Sequence, residues 1–141
     1  VLALAGLRRL GRDGEVAEVL DPAVCLPAPG QGALAVQVRQ DDPEARRLVA
    51  SLDHEPTRRA VLAERAFLRL LGAGCRLPVA ALARVEGEEV VLEGLVAAPD
   101  GSVALRDVAT GPGPEDVAEA LLQRLRKRGL EPLLVAMEAA R

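Results

Sequence analysis

The chain has 141 residues, room for one ordinary domain or for a small domain plus a piece of another, and its apolar half with 28% charge is a globular composition. A single Phe with no Tyr or Trp leaves the core to Leu, Val and Ala and removes the aromatic platforms on which single-stranded nucleic acid stacks, while a net charge of −3 offers no basic field to a phosphate backbone. The lone His54 and two cysteines without a CxxC pair give no metal site and no disulfide framework, and the opening VLALAGL meets Arg8 and Arg9 too soon to be a membrane span or a signal sequence.

In chain order, residues 2–10 place Leu2, Leu4, Leu7 and Leu10 at helical spacing with no capping residue ahead of them, so the pattern reads as a helix entered partway. A second short helix is expected from about Gly14 to Leu20, stopped at Asp21-Pro22. The run Leu26-Pro27-Ala28-Pro29-Gly30-Gln31-Gly32 holds two prolines and two glycines, which excludes regular structure and makes it a linker or a binding loop. Ala33 to Arg39, ALAVQVR, alternates as a strand, and Asp41-Asp42-Pro43 opens a helix reaching about Leu52.

From His54 onward the patterns become regular. His54 stands where a cap belongs, Pro56 suits a first helical turn, and Ala60, Ala63, Phe67 and Leu70 share one face opposite Arg58, Arg65 and Arg69. Gly72 and Gly74 end that helix. Strands are expected over Val79–Val85, Glu89–Ala97 and Ser102–Ala109, joined by the tight-turn pairs Glu86-Gly87 and Asp100-Gly101. A helix from Pro114 turns Val117, Ala118, Leu121, Leu122 and Leu125 inward and stops at Gly129; a last helix runs from Leu130 to Ala140. Together these predict an α+β unit over residues 55–141, a three-stranded antiparallel sheet covered by helices. The preceding residues are too few to close a core of their own.

The chemistry-bearing candidate is Cys75, in Leu71-Gly72-Ala73-Gly74-Cys75-Arg76-Leu77-Pro78. Glycines there let something bulky approach the sulfur. The thiol follows a helix C-terminus, where the dipole disfavours a thiolate, and only Arg76 acts the other way. On residue chemistry alone it is either a functional thiol or a small loop residue.

The run LGAGCRLPVA resembles the cofactor-attachment loop of the porphobilinogen deaminases, also called hydroxymethylbilane synthases. The likeness extends without gaps back through LDHEPTRRAVLAERAFLRLL, LPAPGQGALAVQVR and ALAGLRRLG, in that family's order and spacing. It implies that Cys75, with Gly74 beside it, holds a dipyrromethane through a thioether. On that primer the complete enzyme joins four porphobilinogens head to tail, losing ammonia each time, and then releases hydroxymethylbilane. It also implies that Arg9 faces the carboxylates of cofactor and substrate, that Gln31 lies in the active-site cleft, and that Arg39 serves packing or salt bridging. Glu64 and Arg65, in the family's AER pattern, are implied to tie domains together; Cys25 receives no role and Arg8 is a solvated charge.

By the same resemblance, residues 1–26 are the tail of a second domain, 27–54 a hinge loop, strand and helix returning to a first domain, and 55–141 a complete cofactor-anchoring third domain. The family's general acid/base aspartate lies upstream of these motifs, and Asp41, Asp42 and Asp53 do not match it. The expectation is therefore a cytoplasmic transferase, monomeric when complete, with no nucleic-acid or membrane partner. The 141-residue piece is expected to be inactive, without metal or bound dipyrromethane, and to dimerise by strand exchange. Ala33–Arg39 should pair with its own copy or with an edge of the 79–109 meander. The competing readings are a stand-alone α+β binding or assembly module without chemistry and, more weakly, a thiol redox protein using Cys25 and Cys75.

Overall fold

Apolar periodicity decides which half of this chain acquires a core. The computed structural model describes residues 1–72 and 78–139. Its elements are α1 (Leu4–Arg9), α2 (Pro43–Val49), α3 (Glu55–Leu70), β1 (Val79–Glu86), β2 (Glu89–Ala97), β3 (Ala104–Gly111), α4 (Pro114–Lys127) and α5 (Leu130–Ala139). Single 3₁₀ turns stand at Asp13–Glu15 and Ala50–Leu52.

Helix α3 begins where its caps dictate. His54 Nδ1 accepts the Thr57 N–H at 3.4 Å and sits 2.8 Å from Thr57 Oγ1, while Pro56 occupies the first turn. The helix gives way at Gly72, whose φ of +60° suits a residue without Cβ. The sheet is a β1-β2-β3 meander, antiparallel throughout, in register from Val79↔Val96 to Glu86↔Glu89 and from Val90↔Gly111 to Ala97↔Ala104. Gly87, at φ +61°, opens the two-residue hairpin between β1 and β2.

One face of this sheet meets the helices. Val90, Leu92 and Val96 alternate toward it with Ala81, Ala83, Leu105 and Ala109, and they pack against Ala63, Ala66 and Phe67 of α3 and Val117, Leu121 and Leu125 of α4. Phe67 is fully buried; removing such a side chain from water contributes about 1.5–3 kcal/mol. Arg59 fastens α3 to two turns at once, donating to the carbonyls of Glu88 at 2.6 Å and Pro112 at 2.8 Å. The exposed Arg69–Glu115 pair at 2.6 Å joins α3 to α4 and contributes little in water. The expected two-layer α+β unit is therefore present.

Three local expectations are corrected. Gly14–Leu20 is not a helix: only Asp13–Glu15 turns, with no side-chain cap and no buried residue to hold it. The third strand is shifted from Ser102–Ala109 to Ala104–Gly111, because the Asp100 carboxylate accepts Ser102 N–H and Oγ–H, and Ala98 N–H closes on Val103 O at 2.8 Å. Ala33–Arg39 forms no strand and pairs with no edge of the meander; Leu34 and Val36 stand in solvent. Along β1, the outward amides of Ala81 and Ala83 are already engaged, by Pro27 O and Glu64 Oε1. In the first 54 residues only Leu26 is buried, so α1 and α2 contribute nothing to the core.

Gly94 of β2 leaves no room in this core for a larger residue. A Cβ there would lie 2.7 Å from Leu121 Cδ2 and 2.9 Å from Phe67 Cε1. Gly94→Ala is expected to destabilise the protein by about 1–3 kcal/mol, the usual range for overpacking. Urea unfolding checks this, with an unchanged midpoint as the contrary result.

Candidate functional site

The loop Pro27–Gln31 is shaped by its own residues. Pro29 and Gly30 are the central pair of a turn closed by Gln31 N–H donating to Ala28 O at 3.3 Å, with Gly30 at φ +76°. Proline followed by glycine in the left-handed region is the type II signature. The turn is then fixed to the α+β unit along the free edge of β1. Ala81 N–H donates to Pro27 O at 2.9 Å, and Ala83 N–H donates to Glu64 Oε1 at 2.8 Å. The other oxygen, Oε2, accepts Gly30 N–H at 2.6 Å. Glu64 is only 5% exposed and is the one buried charged residue among those described. A buried carboxylate needs hydrogen-bond donors, and here two backbone amides supply them.

Upstream, the same segment is held on the sheet's other face. Arg106 pairs with Glu93 at 2.7 Å and donates to Ala23 O at 2.6 Å and Pro22 O at 2.9 Å. By the strand register, Glu93 and Arg106 lie on the face turned away from the helices. Residues 22–30 therefore form a strap. It starts over that outer face, rounds β1 with Leu26 buried, and reaches α3 at Glu64.

Between the strap, α1, residues 15–20 and the first turns of α3 lies a cleft of about 980 Å³. Leu4 and Leu7 of α1 and Val61 of α3 give it apolar walls, and Gln31, Cys25 and Glu64 also line it. The structure thus brings Gln31 to a cleft. Arg9 does not join it: α1 turns Leu4 and Leu7 inward and leaves Arg8 and Arg9 exposed. Cys75 and Gly74 lie outside the described residues, between Gly72 at the end of α3 and Pro78 before β1. From Glu64 the helix continues about 9 Å to its end at Leu70, at 1.5 Å per residue. Cys25 is exposed.

Arg39 donates to Asp41 at 3.0 and 2.8 Å, the salt bridging expected of it, and holds that carboxyl below its ordinary range. Glu64 ties the strap to α3 and β1. Two anchoring residues, Arg59 and Arg106, carried no sequence signal, because their partners are backbone carbonyls 29 to 84 positions away.

Comparison with known proteins accounts for both parts of the chain. A family model described as porphobilinogen deaminase, C-terminal domain, matches residues 58–131. A second, porphobilinogen deaminase, dipyromethane cofactor binding domain, matches residues 1–47. The second includes Arg9 and Gln31, whereas Cys75 falls within the first. The chain is similar to the porphobilinogen deaminase of Moorella thermoacetica, 45% identical over 99% of this chain and 45% of the relative. It is likewise similar to that of Pelotomaculum thermopropionicum, 48% identical over 93% and 41%, and to that of Bacillus velezensis, 43% identical over 95% and 44%. The chain thus spans less than half the length of these relatives.

Arg106→Ala removes the strap's upstream hold. Charged hydrogen bonds at a partly exposed site are worth about 1 kcal/mol here, which corresponds to roughly five-fold more open strap. Limited proteolysis between residues 11 and 24 should accelerate by that factor; equal cleavage rates would show that the hold contributes nothing.

Proposed function

The chain belongs to the porphobilinogen deaminase family, and on that premise we propose that it is the C-terminal part of an enzyme joining four porphobilinogens into hydroxymethylbilane on a dipyrromethane carried by Cys75. The observation that carries this reading is the match over 99% of the chain with a relative of that name, together with the run LGAGCRLP at Cys75. The domain reading follows it: residues 1–26 and 27–54 belong with parts of the enzyme outside this chain, and 55–141 form the anchoring domain. Two observations support the boundary at Glu55, the single buried residue before it and the self-contained core after it.

The described residues fit such a group in part. Gln31 offers an amide able to donate and accept at the wall of an apolar cleft, which suits a pyrrole ring with polar substituents. Arg9 presents an exposed guanidinium, the natural partner of a carboxylate, on a different face from that cleft. Cys75 would hold the group through its sulfur, and Gly74 would let the group approach the backbone. When bound, the dipyrromethane supplies the pyrrole carbon from which the chain is extended. Arg9 would neutralise acidic substituents, and Gln31 would orient a ring by hydrogen bonding.

No described residue of the cleft is suited to protonate a leaving amine. Glu64 is engaged by two amides, Glu15 by Arg12 at 2.6 Å, and Glu18 stands in solvent. The 141-residue polypeptide alone is therefore inactive in this reading, general acid–base help being worth about 10²–10⁴-fold. The complete enzyme would be a cytoplasmic monomer acting on a small molecule.

Intact-mass measurement of the full-length protein tests the anchor. Cys75→Ala should lose the added mass of the dipyrromethane and Cys25→Ala should keep it; retention on Cys75→Ala would refute the assignment. A time course of porphobilinogen consumption by the 141-residue polypeptide should be flat, and turnover would overturn the proposed dependence on the rest of the enzyme.

A further inference from the structure

We infer that Glu64 is the positioning residue for Gln31, setting where that amide stands in the cleft. The inference rests on the functional reading above and adds to it a residue whose two carboxylate oxygens are both engaged by backbone amides. Its basis is the order of fixed points along the strap. Pro27 is held by Ala81 N–H at 2.9 Å, and Gly30 by Glu64 at 2.6 Å. Beyond Gly30 the backbone from Gln31 through Arg39 joins no strand or helix. Among the described residues, Gln31's own backbone N–H makes the turn's 3.3 Å bond to Ala28 alone, which travels with the turn. Among those residues, the last hydrogen bond tying this turn to the folded domain is therefore the one between Gly30 and Glu64.

Glu64 is well placed for such a role. Its second oxygen is fixed by Ala83 N–H at 2.8 Å, so the carboxylate cannot swing without breaking its bond to β1. Its helix, α3, runs on to Leu70. The pin for Gln31 thus stands on a rigid element, the helix whose Ala63, Ala66 and Phe67 build the core. A carboxylate suits this geometry because the two N–H groups meet different oxygens and both accept; a Gln in the same place would set its NH₂ against one of the two N–H groups.

The test is a double-mutant cycle in the full-length protein, read as kcat/KM for porphobilinogen, with Glu64→Gln, Gln31→Ala and the pair. Each single change is expected to lower kcat/KM about ten-fold, and the pair about ten-fold as well, because Glu64 acts through Gln31. Cooperative melting and the covalent dipyrromethane mass should be retained in all three. Multiplying effects, about a hundred-fold in the pair, would overturn the inference, as would an inert Gln31→Ala. Should Glu64→Gln not fold, Glu64→Asp takes its place in the same cycle, keeping two acceptor oxygens one methylene short, with the same two outcomes. A full-length wild-type protein that consumes no porphobilinogen sinks the functional reading instead. The positioning claim is then read from the Gly30 amide, whose hydrogen exchange should accelerate in Glu64→Gln and which overturns the inference if unchanged.

Discussion

The free edge of β1 is the constraint around which the site is arranged. A three-stranded meander leaves the outward amides of its first strand without ladder partners, and such an edge invites pairing with another chain. Here the edge is closed by unequal means: Pro27 O takes Ala81 N–H as a strand would, and the Glu64 carboxylate takes Ala83 N–H from the helix side. Because the same carboxylate also takes Gly30 N–H, closing the edge and fixing the proline–glycine turn are one event. Burial strengthens this arrangement. A carboxylate nine-tenths removed from water has no other way to satisfy its oxygens, so losing either amide carries the desolvation penalty of a charged group.

That arrangement also explains why the two halves of the chain behave differently. Downstream of Glu55, the helices cover one sheet face with Leu, Val, Ala and a single Phe, a core that is tight enough to exclude a Cβ at Gly94. Upstream, α1 and α2 bury nothing, and the strap is attached by hydrogen bonds at residues 22–23, 27 and 30 and by the buried Leu26. The extended segment 33–39, with Leu34 and Val36 in solvent, keeps an alternating pattern that finds no surface in this chain. The chain covers under half of its relatives' length.

What could be read from the sequence was what depends on neighbours in the chain. The His54 cap, the Gly87 hairpin, the second strand Glu89–Ala97 and the inward face of α4 all follow from spacings of one to four residues, and all are present. The strap was legible only as an irregular loop, since its anchors at Arg106 and Glu64 are partners distant in sequence. Gly14–Leu20 misled because helical spacing without a surface to cover does not hold a helix. In the site, Gln31 reaches a cleft because glycine and proline place it on a defined turn; Arg9 was read from a motif, and the structure leaves it exposed on another face. Cys75 rests on the resemblance of its loop, and that loop lies outside the described residues.

Amide hydrogen exchange, residue by residue, on the 141-residue protein tests the central claim most directly, because it reports on the two N–H groups that Glu64 engages. Gly30 and Ala83 are expected to be protected alongside the β1–β2 ladder, while Gly32 and the amides of 33–39 exchange as open chain. Exchange of Gly30 at the rate of Gly32 would contradict it, since the turn would then be unattached and nothing would fix Gln31 to the domain.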